Sequence, residues 1–207
     1  AAKLSSLPAC VMTFEPHPRE FFTPHDAPTR LTTLREKLEL LASFGVDKTY
    51  VCSFNRKFSS LTAQQFIDEL LVHRLQSQWL LVGDDFRFGA KRVGDFALLR
   101  EAAMKNRFEL AAMPSFTHNG ERVSSTVVRN ALARGDLARA QELLGRAYSI
   151  SGRVMHGNKL GRTIGFPTAN VQMRHNRPPL AGIFAVHLHV ADICVLPGVA
   201  SLGLNPT

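Results

Sequence analysis

The residues best suited to chemistry lie between Gly152 and Asn170, in the sequence GRVMHGNKLGRTIGFPTAN. Glycines let a backbone turn and approach a ligand closely, so that successive N–H groups can point at a phosphate. Thr168 and Asn170 are two residues apart, so in an extended segment their side-chain oxygens face the same side. Together with nucleotide phosphates and water, such neutral oxygens suit a hard ion such as Mg²⁺. The four glycines and three cations of the stretch are Gly152, Gly157, Gly161, Gly165, Arg153, Lys159 and Arg162.

A P-loop is the first alternative for this stretch, because residues 157–163 read GNKLGRT. One residue is missing between the glycines, and Arg162 stands where the lysine of a P-loop belongs. A strand-like run containing Pro167 follows, where a P-loop continues into a helix. These differences exclude a Walker A site. A glycine-rich hairpin in a β-domain is the second alternative, and the glycines alone favour it.

Two further motifs follow predicted strands, where ligands bind in open α/β sheets. FEPHP follows a strand at residues 9–15, and its His17 could contact a nucleotide; a rigid surface turn is the alternative. GDDFRFG follows a strand at residues 79–83 and lacks the GxGxxG spacing of a dinucleotide fingerprint. Its Asp85 could accept hydrogen bonds from a base or ribose, and Phe86 or Phe88 could stack on a ring. An exposed acidic turn above packed phenylalanines is the alternative there.

The motif RVSSTVVR stands at the start of a predicted helix, with Ser125 or Thr126 as its N-cap. Free N–H groups and the helix dipole attract anions at such a terminus. Arg122 lies just before the helix and Arg129 about one turn inside it, so both could bracket a phosphate. Ordinary helix capping is the alternative, but the two flanking arginines favour phosphate binding.

These motifs together resemble a known family. Residues 152–170 resemble the GxVxHGxxxGRxxGFPTAN signature of riboflavin kinases. FEPHP, GDDFRFG and RVSSTVVR resemble, in order and approximate spacing, the FMN adenylyltransferase module of the bacterial bifunctional FAD synthetases. The closing GVASLGLNPT resembles the GVANIGxxPT segment of the kinase module. The resemblance covers essentially all 207 residues.

The resemblance implies ATP-dependent phosphorylation of riboflavin to FMN and adenylylation of FMN to FAD, with Mg²⁺ as cofactor. ATP, riboflavin, FMN and FAD are then substrates or products. The implied kinase residues for ATP are Gly157, Lys159, Gly161, Phe166, Thr168 and Asn170, the last two also holding the metal. The implied nucleotide- and flavin-binding residues of the adenylyltransferase are His17, Asp85, Phe86, Arg122, Ser125, Thr126 and Arg129.

Two catalytic elements of the family do not appear in these 207 residues. The family's GxFDGxHxGH motif carries histidines that stabilise the transferring phosphoryl group, and none of the eight histidines here has that spacing. The family's catalytic glutamate of the kinase lies beyond the NPT segment. We therefore expect a longer parent protein, with this sequence as its middle part.

The arrangement of elements predicts an α/β fold in two domains. Strands alternate with helices up to residue 146, which indicates a Rossmann-like parallel sheet with helices on both faces. Capping boxes at Thr33–Glu36 and Thr62–Gln65 mark two of the helix starts. From residue 147 to 207 glycines and prolines are frequent and apolar residues alternate, which indicates a β-barrel domain, truncated in this sequence. The predicted helices span residues 34–44, 62–75, 95–107, 125–134 and 136–144.

Composition narrows the class of partner. Apolar residues make up 45% and charged residues 20%, which is typical of a globular protein with a core. The absence of an apolar run of about 18 residues predicts no membrane partner, and we expect a cytoplasmic location. The three cysteines, which form no CxxC, are expected to be buried free thiols.

The net charge of +8 favours anionic ligands. Because the cations are scattered, we expect phosphorylated small molecules to be the partners and nucleic acid not to be one. Two alternatives remain open, a basic nucleic-acid-binding module of α/β plus β-barrel type and a nucleotidyltransferase for another substrate. Oligomerisation also remains open.

Overall fold

The computed structural model of the chain describes residues 2, 6–156, 165, 168–173, 177–190 and 194–203. The strands in these residues are β1 (Cys10–Glu15), β2 (Lys48–Ser53), β3 (Trp79–Gly83), β4 (Glu109–Met113), β5 (Thr117–His118), β6 (Glu121–Arg122), β7 (Arg153–Met155), β8 (Asn170–Gln172), β9 (Gly182–Val190) and β10 (Cys194–Leu202). The helices are α1 (Pro18–Phe22), α2 (Leu34–Ser43), α3 (Arg56–Ser59), α4 (Ala63–Gln65), α5 (Phe96–Asn106), α6 (Ser125–Ala133) and α7 (Leu137–Leu144). A π-helical segment, Phe66–Arg74, continues α4, and Ala90–Arg92 forms a 3₁₀ turn.

The chain divides into two compact units. The first unit comprises Ala1–Ala27 and Leu40–Phe116, and the second comprises Pro28–Glu39 and Thr117–Thr207. The second unit therefore combines a short early segment, helices α6 and α7, and the predicted β-domain. The domain boundary predicted between residues 146 and 147 stays a prediction.

The first unit has the parallel strand pairs that the sequence predicts. β1 pairs with β2 and β3 pairs with β4, both in parallel. Glu15 stands opposite Ser53 and Gly83 opposite Met113, so the carboxyl ends of each pair meet at one edge. FEPHP and GDDFRFG begin at these edges, as predicted.

Helical periodicity explains the core of the first unit. The capping box at Thr62 and Gln65 is confirmed, since each side chain accepts the other residue's N–H. The residues that follow at helical spacing are all buried: Ala63, Phe66, Ile67, Leu70 and Leu71. Met12, Tyr50, Leu80 and Leu110, from the four parallel strands, pack against the same core. Apolar side chains recurring every three or four residues thus place one helical face on the strands.

Helices α6 and α7 supply most of the core of the second unit. Its buried apolar residues are Val128, Ala131 and Leu132 of α6, Ala140 and Leu143 of α7, and Leu180, which lies just before β9. The N-cap of α6 is Ser124, so the prediction of Ser125 or Thr126 is wrong by one or two residues. Ser124 has an extended backbone and its hydroxyl accepts the N–H of Val127, which makes Ser125 the first helical residue. Asp136 caps α7 as predicted.

The strands of the second unit pair antiparallel. β5 and β6 form a hairpin around Asn119 and Gly120, both at positive φ, which is typical of a tight two-residue turn. β7 pairs with β8, and β9 with β10 over nine residue pairs. Among the described residues no helix follows Leu144 and no closed barrel is formed. The barrel stays a prediction.

The cysteine expectation is confirmed in part. All three cysteines are free and Cys52 is buried, but Cys10 and Cys194 are exposed. Cys10 opens β1 and Cys194 opens β10, and the first residue of a strand lies at the margin of its sheet. Burial raises the pKa of the Cys52 thiol to about 11, so this thiol stays protonated and unreactive at neutral pH.

We expect Leu132→Ala to lower the free energy of unfolding by about 2–5 kcal/mol, because the fully buried side chain leaves a cavity. Leu137→Ala, at a position that is 36% exposed on α7, is the matched control and should cost much less. Urea unfolding of both variants measures the difference. Equal losses would contradict the assignment of Leu132 to the core.

Candidate functional site

His17 lies where β1 ends, and it begins a helix that the sequence analysis did not predict. Its Nδ1 accepts the N–H of Arg19 at 3.2 Å, and its own N–H donates to the Glu20 carboxylate at 3.0 Å. These two bonds make His17 the N-cap of α1. The imidazole is therefore held in a defined orientation at an exposed position beside the strand edge. Its contact with a nucleotide stays a prediction.

The GDDFRFG loop turns directly after β3. The N–H of Phe86 donates to the Gly83 carbonyl at 3.1 Å, and the exposed Asp85 carboxylate folds back over Gly83. The Phe86 ring stacks on Phe88, with ring centroids 5.6 Å apart and planes 17° from parallel. One face of Phe86 is thus covered by the Phe88 ring, which is itself buried in the core. Stacking of either ring on a ligand stays a prediction.

Two glycines hold this loop tightly against the core. Gly89 has a φ of +73°, and a Cβ there would lie 2.6 Å from the backbone nitrogen of Ala63. A Cβ at Gly94 would lie 2.6 Å from the Phe88 ring. Arg87 pairs with Asp95 at 3.2 Å, and Asp95 caps α5. The loop is therefore anchored on both sides of Phe88.

A row of phenylalanine rings links the two motifs of the first unit. Each ring contacts the next with centroids 5.1 to 6.3 Å apart, mostly edge to face. The row starts in α1, beside His17, and ends in the GDDFRFG loop. Its members are Phe22, Phe21, Phe54, Phe14, Phe58, Phe66, Phe88 and Phe86. Such ring pairs contribute about 0.5–1.5 kcal/mol each beyond their buried area, so packed side chains connect α1 with the GDDFRFG loop.

The phosphate motif RVSSTVVR belongs to the second unit. Arg122 ends β6, and Ser125 and Thr126 form the exposed first turn of α6. Arg129 is half-buried, and its Nε donates to the carbonyl of Thr29 at 2.6 Å. Arg129 therefore anchors the early segment 28–39 as well as lying one turn from the helix start. Phosphate binding by these four residues stays a prediction.

Arg139 on α7 braces the hairpin that carries Arg122. Its guanidinium pairs with Glu121 of β6 and, at 2.8 Å, with Glu142 of its own helix. Sequence reasoning missed this contact, since Glu121 and Arg139 lie 18 residues apart with no shared motif. The ion pair holds the strand residue next to Arg122 against α7.

Glu36 is a buried carboxylate that sequence reasoning placed only in a capping box. The capping box is confirmed: Oε2 accepts the N–H of Thr33 at 2.7 Å and its hydroxyl at 2.9 Å. Oε1 accepts the N–H of Ser151, a residue 115 positions away. Burial by itself raises the pKa of Glu36, but the hydrogen bonds from Thr33 and Ser151 outweigh burial and leave that pKa below its ordinary value.

Two further contacts hold the same early segment. The hydroxyl of Tyr148 donates to the Leu31 carbonyl at 3.2 Å, and burial raises the pKa of this phenol. The hydrogen bonds of Tyr148, Ser151 and Arg129 therefore all end on residues 29–36. No short motif signals these contacts in the sequence.

The Gly-rich stretch is described only at its two ends. β7 and β8 pair so that Met155 stands opposite Asn170, and a Cβ at Gly152 would collide with the Gln172 carbonyl. Thr168 and Asn170 are both exposed, so their side-chain oxygens are accessible to a ligand. The predicted ATP-binding residues Gly157, Lys159, Gly161 and Phe166 lie outside the described residues.

Comparison with known proteins identifies the chain. The family model for FAD synthetase matches residues 1–127, and the model for riboflavin kinase matches residues 144–207. The chain belongs to the FAD synthetase family. The resemblance drawn from the motifs is thereby confirmed.

Curated relatives of the chain are named bifunctional riboflavin kinase/FMN adenylyltransferase. The relative from Escherichia coli strain K12 is 52% identical over 98% of the chain, and that from Pseudomonas fluorescens is 48% identical over 97%. The chain spans 64% of the length of each. A crystal structure titled macrolide-efflux protein from Streptococcus pneumoniae matches with a TM-score of 0.79 and 29% identity, over 100% of this chain and 67% of that one.

Two features are absent from the described residues, a membrane-spanning helix and a metal-ligand cluster. In that part of the chain, no helix is both long enough and apolar enough to cross a membrane. Nor do the same residues contain a group of three or more histidine, cysteine, aspartate or glutamate side chains that could hold a metal ion.

We expect Gly89→Ala to destabilise the protein more than Gly135→Ala, by about 1–3 kcal/mol. Both glycines have a φ of +73°, but only the Cβ at position 89 meets another backbone; nothing lies within 4 Å of the one at position 135. Thermal unfolding of the two variants separates the clash from the shared cost of positive φ. Matching melting temperatures would show that the loop is not held against Ala63.

We expect Glu36 to stabilise the protein at neutral pH and to lose this effect in acid. Because the folded state keeps the carboxylate ionised to lower pH than the unfolded chain does, the stabilisation is complete above about pH 4.3 and falls as the pH drops through the folded-state pKa. Glu36→Gln should therefore lower the free energy of unfolding by about 1–3 kcal/mol at pH 7. The difference from the unmutated protein should shrink below about pH 4.

Urea unfolding between pH 3 and pH 7 measures this difference. Exposed Glu101→Gln on α5 controls for the loss of one negative charge. A difference between unmutated protein and Glu36→Gln that stays constant down to pH 3 would refute the ionised, hydrogen-bonded role of Glu36.

Proposed function

We propose that the whole protein that carries this chain makes FAD in two steps. The first step transfers the γ-phosphoryl group of ATP to the 5′-hydroxyl of riboflavin and gives FMN and ADP. The second transfers AMP from another ATP to FMN and gives FAD and pyrophosphate. The observation that carries the proposal is the match of two family models, FAD synthetase and riboflavin kinase, to successive parts of one chain.

Riboflavin phosphorylation is assigned to the segment from residue 147 onward, which we propose to complete a β-barrel. Thr168 and Asn170 would hold Mg²⁺, since exposed neutral oxygens beside nucleotide phosphates suit that ion. When bound, Mg²⁺ neutralises charge on the phosphates. The glycines and Lys159 would bind the phosphates through backbone N–H groups and one cation. Phosphoryl transfer needs mainly such positioning and charge neutralisation.

FMN adenylylation is assigned to residues 1–146. Ser125 and Thr126 stand on the first turn of α6, where backbone N–H groups and the helix dipole stabilise phosphate oxygens. Arg122 and Arg129 would add positive charge on either side. His17, Asp85 and Phe86 would contact the nucleotide and the flavin.

The proposal also includes the class of molecules that the protein binds and its location in the cell. Small anionic molecules, ATP and flavin phosphates, account for the net charge of +8 without nucleic acid. We place the protein in the cytoplasm, without a membrane partner.

We expect Asn170→Ala, in the whole protein, to reduce FMN formation from riboflavin by at least about 100-fold, since a metal-held phosphoryl oxygen contributes several kcal/mol. FAD formation from added FMN should stay unchanged. Chromatographic separation of flavins after incubation with ATP and Mg²⁺ measures both reactions. Gln172→Ala, exposed on the same strand, is the matched control and should retain both.

The outcome distinguishes a wrong proposed function from a wrong assignment of two separate sites. If the unmutated protein leaves riboflavin and FMN unchanged, the proposed function is wrong. If Asn170→Ala loses both reactions while Gln172→Ala keeps them, the assignment of two separate sites is wrong.

A further inference from the structure

Glu36 lies in the part of the chain matched to FAD synthetase, but it accepts a hydrogen bond from Ser151, in the part matched to riboflavin kinase. The FAD synthetase match covers residues 1–127 and the riboflavin kinase match residues 144–207. Oε1 of Glu36 accepts the N–H of Ser151, and the Ser151 side chain also hydrogen-bonds to the carboxylate. Both residues belong to the second unit. The buried side chain of Glu36 thus links the two matched segments.

Both oxygens of the Glu36 carboxylate accept hydrogen bonds, so this position requires a particular side chain. Oε2 accepts two hydrogen bonds from Thr33 while Oε1 accepts from Ser151. A glutamine would present one oxygen and one NH₂ group, so one of the two donors would face another donor. An aspartate is one methylene too short to bridge both. Only a glutamate satisfies Thr33 and Ser151 together.

Ser151 lies just before the strand that pairs with Asn170, a predicted metal ligand. Ser151 lies two residues before β7, whose Met155 pairs with Asn170 of β8. Between them, Gly152 allows the chain to pass against the Gln172 carbonyl, where a Cβ would collide. The point at which Glu36 holds the chain therefore sets where β7 starts, and the register of β7 sets where Asn170 stands.

Other contacts keep Glu36 itself in place. The segment that carries it is held by Tyr148 through Leu31 and by Arg129 through Thr29. Tyr148 precedes Ser151 by only three residues, so two bonds attach the approach to β7 to the same short segment. Two attachment points restrain both the position and the direction of a chain.

We propose that Glu36 is a positioning residue for riboflavin phosphorylation, acting through Ser151 and the β7–β8 pair on Asn170. This inference rests on the proposed function. Glu36 touches neither nucleotide nor flavin in this role. It holds the strand pair so that the side-chain oxygens of Asn170 and Thr168 stand ready for Mg²⁺ and the ATP phosphates.

The decisive variants are Glu36→Gln and the milder Ser151→Ala, with Thr33→Ala as matched control. Thr33→Ala removes the hydroxyl that donates to Glu36 and weakens the α2 cap, but leaves the backbone N–H of residue 33 and the contact to Ser151 in place. Amide hydrogen exchange of the whole protein reports on the β7–β8 pair. We expect exchange at Val154 and Val171 to accelerate about tenfold in Glu36→Gln, less in Ser151→Ala, and not in Thr33→Ala.

Kinetics connects the contact to the reaction. We expect the KM for Mg·ATP in FMN formation to rise about tenfold in Glu36→Gln and severalfold in Ser151→Ala. In both variants the kinetics of FAD formation from FMN should be unchanged. In Thr33→Ala the kinetics of both reactions should be unchanged. A merely structural loss would instead lower kcat of both reactions in proportion to the unfolded fraction, with each KM unchanged. That pattern would overturn the proposal.

Failure of the inference and failure of the proposed function give different results. Unchanged exchange at β7–β8 in Glu36→Gln overturns the positioning role whether or not riboflavin is phosphorylated. An unmutated protein that does not phosphorylate riboflavin overturns the proposed function, and with it the catalytic meaning of the contact, even if exchange accelerates.

Discussion

A carboxylate removed from water must find hydrogen-bond donors, and in the second unit this requirement brings distant parts of the chain together. Glu36 is only 7% exposed and receives its donors from Thr33 and Ser151. Without these bonds a buried negative charge would cost several kcal/mol. The satisfied carboxylate therefore specifies one arrangement of residues 28–39 against the approach to β7. The path of the strand that pairs with Asn170 follows from that arrangement.

In the first unit, packed aromatic rings hold the candidate loop in place, whereas in the second unit hydrogen bonds hold the early segment. The phenylalanine row of the first unit runs through the buried Phe66 and Phe88 to a loop that bears an exposed carboxylate. Gly89 and Gly94 let this loop lie against the core without room for a side chain. A rigid apolar base thus carries polar groups at its margin, which is the usual construction of a small-molecule site. The requirement for tight packing explains why glycine occupies both positions.

The two proposed reactions ask similar things of the protein. Each moves a phosphorus-centred group between oxygens, so the protein must hold phosphates and neutralise charge. Under the proposed function, the helix-terminal N–H groups of α6 and the exposed side-chain oxygens of Thr168 and Asn170 would serve this purpose. In the described residues the supporting contacts are internal: Arg129 holds Thr29, Arg139 holds Glu121, and Glu36 holds Ser151.

The sequence by itself determined the family, the parallel strand pairs and most helix limits. Helical spacing from Ala63 to Leu71 and the capping boxes at Thr33 and Thr62 act within four residues, so they can be read from neighbouring letters. Local patterns also allowed an error of one or two residues, since three successive hydroxyls, Ser124 to Thr126, compete for the cap of α6.

Only the tertiary structure decided how the candidate groups are held. The contacts of Arg129, Tyr148 and Ser151 with residues 29–36 span 100 to 117 positions, and the covered face of Phe86 follows from packing on Phe88. Such contacts depend on the path of the whole chain, because any of many donors could satisfy a buried carboxylate or carbonyl. The sequence supplies the chemical groups, but only burial in the folded chain determines that Ser151 is the distant donor to Glu36.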